Sequence, residues 1–179
     1  MRTSILLAAF LVASLALGQK PTTLSTDGKK SGLSASQLVT LQGSKMRHLV
    51  PTFVPPGFKV SKFEFVKATE DEEAYWMIHY RNAKSKGQIT VQMASDGFGD
   101  PILSDDDGNV IDSKVGPAYK SPIFGVGRIY VAKSRNWNGF ASDWIDLKVK
   151  SKPTHVMIYG QRADPQLGKK ILESLRWLR

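Results

Sequence analysis

Between residues 60 and 94 the chain alternates apolar and polar residues with a period of two, three times over. Val60–Val66 reads VSKFEFV, Ala74–Arg81 reads AYWMIHYR and Gln88–Ala94 reads QITVQMA. Such runs, rich in aromatic and β-branched residues, fit a pleated, half-buried strand and fit a helix poorly. In the third run Ile89, Val91 and Met93 share one face and Gln88, Thr90 and Gln92 the other, the pattern of a sheet with one polar face. The connecting segments, EDEE at 70–73 and NAKSKG at 82–87, are too short for a parallel crossover, so the three runs predict an antiparallel meander.

A second set of strands is expected at Gly127–Ala132, Asp143–Lys150 and Thr154–Gly160; in the middle one Ile145, Leu147 and Val149 oppose Asp146, Lys148 and Lys150. Between the two sets, 96–120 reads as a long irregular connection with at most a short strand at Val110–Ile111. The chain ends on an expected helix. Asp164 is a good N-cap, Pro165 suits the first helical position, and Leu167, Ile171, Leu172, Leu175 and Leu178 form an apolar stripe. A shorter helix is expected within Ser34–Met46, with Ser34 as its cap, ahead of the rigid stretch set by Pro51, Pro55, Pro56 and Gly57. The expected fold is therefore α+β: a strongly curved antiparallel sheet of about six strands packed against a C-terminal helix and a short N-terminal helix.

The N-terminus bears on compartment. Arg2 precedes an apolar run from Ile5 to Leu17, and small residues at Ala16 and Gly18 offer a cleavage site, the pattern of a secretory signal peptide. The run is short of the roughly 20 residues a spanning helix requires. The expected organisation is a signal peptide at 1–18, a flexible leader at 19–33 and one α+β domain at 34–179, with no transmembrane segment after cleavage. No later cysteine allows lipidation, since the chain has none, and thiolate metal sites and disulfides are excluded with it. With 25 Lys and Arg against 16 Asp and Glu, the net charge is +9. Export argues against nucleic acid as the partner of that charge. It leaves an envelope protein, a lipid or an anionic envelope polymer, or plain solubility.

Motifs of catalysis are missing: there is no G-x-S-x-G, S-x-x-K, H-E-x-x-H or Walker loop. No cofactor and no metal is expected. Asp105, Asp106 and Asp107 before Gly108 resemble a calcium loop only superficially, because Leu103 and Lys114 fall where the end ligands belong. His79 shares a strand face with Tyr75 and Met77, and His155 with Met157 and Tyr159, which suits structural histidines better than ligands. The segment Arg135–Trp144 (RNWNGFASDW) holds the candidate ligand-binding residues Arg135, Trp137, Phe140 and Trp144. Rings set among Asn and Gly loop formers can stack on sugars or grip a peptide; the competing reading makes Trp137 a lid on the core.

The stretch Leu49–Phe58 (LVPTFVPPGF), the strands after it and the closing Ile171-Leu172-Glu173-Ser174-Leu175 resemble a family of bacterial extracytoplasmic domains of unknown function. In these a P-x-x-x-P-x-G-[FY] lead-in precedes a β-rich domain closed by a helix, often as the outer part of anti-sigma-like proteins. More distantly the chain is similar to the RseB/MucB and LolA/LolB lipoprotein-carrier group. Pro56 stands where the family commonly has an acidic residue. The resemblance implies a non-enzymatic binding or sensor module of the envelope; an acyl-chain carrier and an uncharacterised hydrolase are the alternatives.

Overall fold

The computed structural model describes residues 24–44, 47–69, 74–95, 103, 108–134, 137–149 and 152–179. The expected signal peptide, the turn at 70–73, the acidic run at 105–107 and Arg135 all lie outside them. Three strands come from the first expected set: β3 (Phe58–Val66), β4 (Tyr75–Asn82) and β5 (Gln88–Ala94). They form an antiparallel meander. Asn82 sets its second turn, its side-chain oxygen accepting from the Lys84 and Ser85 N–H groups at 3.0 and 3.1 Å.

The second set is larger than expected. β6 (Lys114–Ser121), β7 (Gly125–Lys133), β8 (Asn138–Ser142), β9 (Ile145–Val149) and β10 (Lys152–Gln161) follow one another, and β10 pairs antiparallel with β5 to join the two sets. The result is one open antiparallel sheet in the order β3-β4-β5-β10-β8-β7-β6, with β9 also on β10. β8 and β9 run end to end along the same edge of β10. Between the pairs Tyr159↔Ala141 and Val156↔Ile145, the residues Ser142, Asp143 and Trp144 face only Met157 and Ile158. This is a β-bulge, and the Ser142 hydroxyl accepts from the Ile158 N–H at 3.1 Å to keep the ladder satisfied.

β6 escaped the sequence reading because Gly116 and Pro117 interrupt it. The register shifts between Val115 and Ala118, and β6 lies at the sheet edge, where proline leaves no ladder bond unmade. At Val110–Ile111 a bridge at Val110 and the Ile111 N–H bonded to Leu103 O at 2.8 Å replace the short strand.

A three-stranded sheet accompanies the large one: β1 (Ser25–Thr26), β2 (Leu49–Pro51) and β11 (Leu175–Leu178) in the order β1-β11-β2. Residues 24–33 are therefore no flexible leader. They form β1 and a 3-10 turn at Lys29–Ser31, and Ser31 and Leu33 are buried. Helix α1 (Ala35–Gln42) is shorter than expected, closed by a capping box in which Gln37 N–H donates to Ser34 Oγ and Ser34 N–H to Gln37 Oε1. Helix α2 (Pro165–Ser174) begins as read, with Gln166 N–H on Asp164 Oδ1 at 2.9 Å, but stops a turn early. The last part of the expected stripe, Leu175–Leu178, is β11.

Core packing uses one face of the large sheet. Trp76, Ile78, Tyr80, Ile89, Val91, Met93, Phe140, Val156 and Ile158 form a buried cluster with Leu41, Leu49, Ile171 and Leu172. Tyr80 donates its hydroxyl to Ser31 O at 2.8 Å, tying β4 to the 3-10 turn, and burial pushes its pKa up. Close approach of α2 requires two glycines: a Cβ on Gly160 or on Gly168 would fall within 2.4 or 2.3 Å of the Phe140 ring.

Candidate binding face

Register fixes what the second face of the sheet carries. One row crosses seven strands: Lys62, His79, Thr90, Tyr159, Ala141, Tyr130 and Val115 are successive partners from β3 to β6. A second row places Glu64, Met77, Gln92 and Met157 side by side, and a third Val66, Tyr75, Ala94, His155 and Asp146. Neighbouring positions in such rows are about 4.8 Å apart, so their side chains touch. The sequence expected this face of β5 to be wet, yet Thr90 and Gln92 are only 4% exposed. The His79 ring bonds the Thr90 hydroxyl, and Gln92 stands between Met77 and Met157 in register.

Three hydrogen-bonded sets organise the face. Glu64 Oε1 accepts from Lys62 Nζ at 2.8 Å and from His79 Nε2 at 2.9 Å, while His79 Nδ1 lies 2.9 Å from Thr90 Oγ1. An ionised carboxylate only accepts, so Nε2 carries a proton; in the neutral ring Nδ1 is then the acceptor for the Thr90 hydroxyl. The Lys62 hydrogen bond, followed by that from His79, holds the Glu64 carboxyl below its ordinary range. His155 Nδ1 donates to Asp146 Oδ1 at 2.7 Å, and the Trp144 ring meets the His155 ring edge-on at 6.3 Å between centroids. Tyr130 donates to the Asp143 carboxylate, and that hydrogen bond, followed by the carboxylate's negative charge, pushes the phenol pKa up.

The expected contact residues separate. Phe140 is 0% exposed and Trp137 4%. Phe140 points into the core between Gly160 and Gly168, and the Gly139 backbone passes so close that a Cβ there would lie 2.3 Å from the Trp137 ring. The reading of Trp137 as a lid fits this placement, and neither buried ring presents a contact surface. What looked like a loop is β8, whose Gly139 serves close packing. Trp144 is different: the bulge between β8 and β9 turns it onto the second face, half-buried against His155.

Sequence reasoning missed the neighbours that make this a site. Tyr130, Tyr159, Glu64 and Thr90 each look ordinary within their own strands; only cross-strand register brings them into rows. The shared face of His79, Tyr75 and Met77, and that of His155, Met157 and Tyr159, was the one visible signal. Among the described residues no group of three His, Asp or Glu is placed to hold a metal ion, and no helix is long and apolar enough to cross a membrane. In comparisons with protein-family models, curated proteins and solved structures, the chain matches none.

Proposed function

We propose that the protein is an exported, non-enzymatic binding or sensor module of the bacterial cell envelope, and that it receives its ligand on the tyrosine- and histidine-bearing face of the large sheet. One observation carries the reading: Tyr159 and Tyr130 flank Ala141 in a single cross-strand row, and Trp144 is turned onto the same face by a bulge. Half-buried rings of this kind give large contact area at small entropic cost, with hydroxyls at their rims to fix orientation. A peptide or polymer with both apolar and hydrogen-bonding groups suits them. The strong curvature expected of the sheet, the export signal and the kinship with anti-sigma-like outer domains belong to the same proposal.

Affinity capture tests it. The full chain and its Tyr159→Ala, Tyr130→Ala and Trp144→Ala variants are compared for retention on cell-wall and membrane fractions, alongside melting temperature. Retention falls severalfold in the variants while melting changes little. Unchanged retention in all three variants removes the face as the contact surface.

An acyl-chain carrier draws less support, since Trp76, Tyr80 and Phe140, all fully buried, occupy the space between sheet and helices where such a chain would lie. A second reading rests on one arrangement. Glu64, His79 and Thr90 stand in the order carboxylate, imidazole, hydroxyl, each within 2.9 Å of the next, as nucleophilic catalysis requires. In it, Thr90 Oγ1 attacks the ester carbonyl carbon while His79 takes its proton and passes it to the departing alcohol; water then cleaves the Thr90 ester, releasing the acid and restoring the hydroxyl. Hydrolysis of a simple ester by the full chain, lost in Thr90→Val, supports that reading; equal rates in the two proteins exclude it.

A further inference from the structure

On the other side of the molecule, where the three-stranded sheet meets the end of α2, lies a cavity of about 440 Å³. Its lining includes Thr26, Asp27, Lys30, Thr52, Arg176 and Arg179. We infer that this cavity is a binding site for a small phosphate-bearing ligand, a phosphate ester on a compact polar body, held by Lys30, Arg176 and Arg179.

Charge is the first argument. Three cationic side chains face one side-chain carboxylate, and Asp27 is already engaged by Lys29, whose N–H lies 3.2 Å from Oδ1 and whose Nζ lies 3.6 Å from Oδ2. Among the described residues, none of the three cations has an acidic partner.

Acceptors that could compete for those cations are spoken for. In the last turn of α2, Ile171 O accepts from Ser174 Oγ at 2.8 Å, Leu172 O from the Leu175 N–H, and Ser174 O from Thr52 Oγ1 at 2.7 Å. Arg176 Nη1 donates to Glu173 O at 2.8 Å and Leu175 O at 2.7 Å, which fixes the guanidinium while its remaining donors stay available. The backbone rim is paired too, with Arg179 N–H on Thr26 O at 3.0 Å. The cavity therefore presents surplus donors and positive charge. A fixed guanidinium fork beside a lysine is the donor set that recognises phosphate oxygens. The volume exceeds a bare phosphate and falls in the small-molecule range of roughly 300–1,000 Å³, which calls for a body carrying the phosphate.

Calorimetry on the full chain with glycerol 3-phosphate, with glycerol as neutral control, tests the inference. Binding is expected for the phosphate ester alone, weakening as salt is raised. Lys30→Gln and Arg179→Gln, whose side chains make no hydrogen bond among the described residues, each weaken it at least tenfold without a change in melting temperature. Arg176→Gln weakens it further but also frees two carbonyls, so the first two variants decide the matter. Vesicles of phosphatidylglycerol against phosphatidylcholine identify the source. Retention on the former, lost in Lys30→Gln, marks a lipid headgroup, and binding of the ester without vesicle retention marks a soluble ligand. No binding at millimolar ester and no vesicle retention overturns the site, as does affinity unchanged in both Lys30→Gln and Arg179→Gln. Tyr159→Ala, on the opposite face of the large sheet, leaves this binding intact, so its fate is separate from that of the proposed function.

Discussion

At the scale of single residues, His48 has the clearest consequence. It is 2% exposed, bonds Ser44 through Nε2 and meets the Phe65 ring edge-on. Burial, only partly offset by the polar Leu41 backbone, lowers its pKa from 6.5 to about 4. The unfolded chain therefore takes up a proton below pH 6.5 that the folded chain refuses until about pH 4. Stability is unaffected above the first value and declines between the two, by about 3 kcal/mol in total. Denaturant titrations from pH 7 to 4 should show this slope, and His48→Gln should flatten it. What remains in that variant lies below about pH 4.5, where Glu64 and Glu173, both with lowered pKa values, become protonated. Phe140 makes the complementary case for packing. Phe140→Ala empties a fully enclosed ring site and should cost about 3–5 kcal/mol, read as a lowered denaturation midpoint. A surface-contact ring would show no such loss.

At the scale of elements, α2 shows how local propensity and tertiary packing divide control. The leucine stripe runs on to Leu178 and by periodicity is helical throughout. The helix nevertheless ends at Ser174, because Leu175–Leu178 finds two strand partners at once: β2 antiparallel and β1 parallel. The pairing also encloses Trp177, over which the Arg47 guanidinium sits at 4.6 Å. Gly168 in the same helix allows a test in which two effects oppose. Gly168→Ala gains about 1 kcal/mol of helix propensity, but the new Cβ meets the buried Phe140 ring, and overpacking of this kind costs about 1–3 kcal/mol. The ring is enclosed by Gly160 on its other side, so the clash should prevail and the variant should melt lower. A higher melting temperature would mean that α2 moves away from the sheet without penalty.

At the scale of the whole molecule, the large sheet is two meanders joined along β5 and β10, the seam that long-range pairing must close. Both strands have neighbours on each side, whereas β6 and β1 lie at edges. Native-state amide exchange should be slowest in β5 and β10 and fastest in β1 and β6; protection in β6 equal to that in β5 would contradict this layering. Much of the architecture was legible in advance, because alternation in β3, β4, β5, β9 and β10 states both the strand and the face it buries. The capping residues Ser34 and Asp164 likewise announce where their helices start. Less legible were β6 and β8, whose Gly116, Pro117 and Gly139 look like loop residues and are explained only by an edge bulge and by contact with Trp137. The candidate face was half legible: each strand displayed its own polar or aromatic row, but not which rows would be neighbours. Period, capping and turn chemistry act between residues close in the chain, so local sequence suffices for six strands of the large sheet, β3, β4, β5, β7, β9 and β10, for the antiparallel sense of the first meander and for the burial of one face. The β5–β10 seam, the strand fate of Leu175–Leu178 and the juxtaposition of His79 with Thr90 and of Tyr159 with Tyr130 depend on partners distant in sequence, whose pairing is selected by the packing of the assembled core.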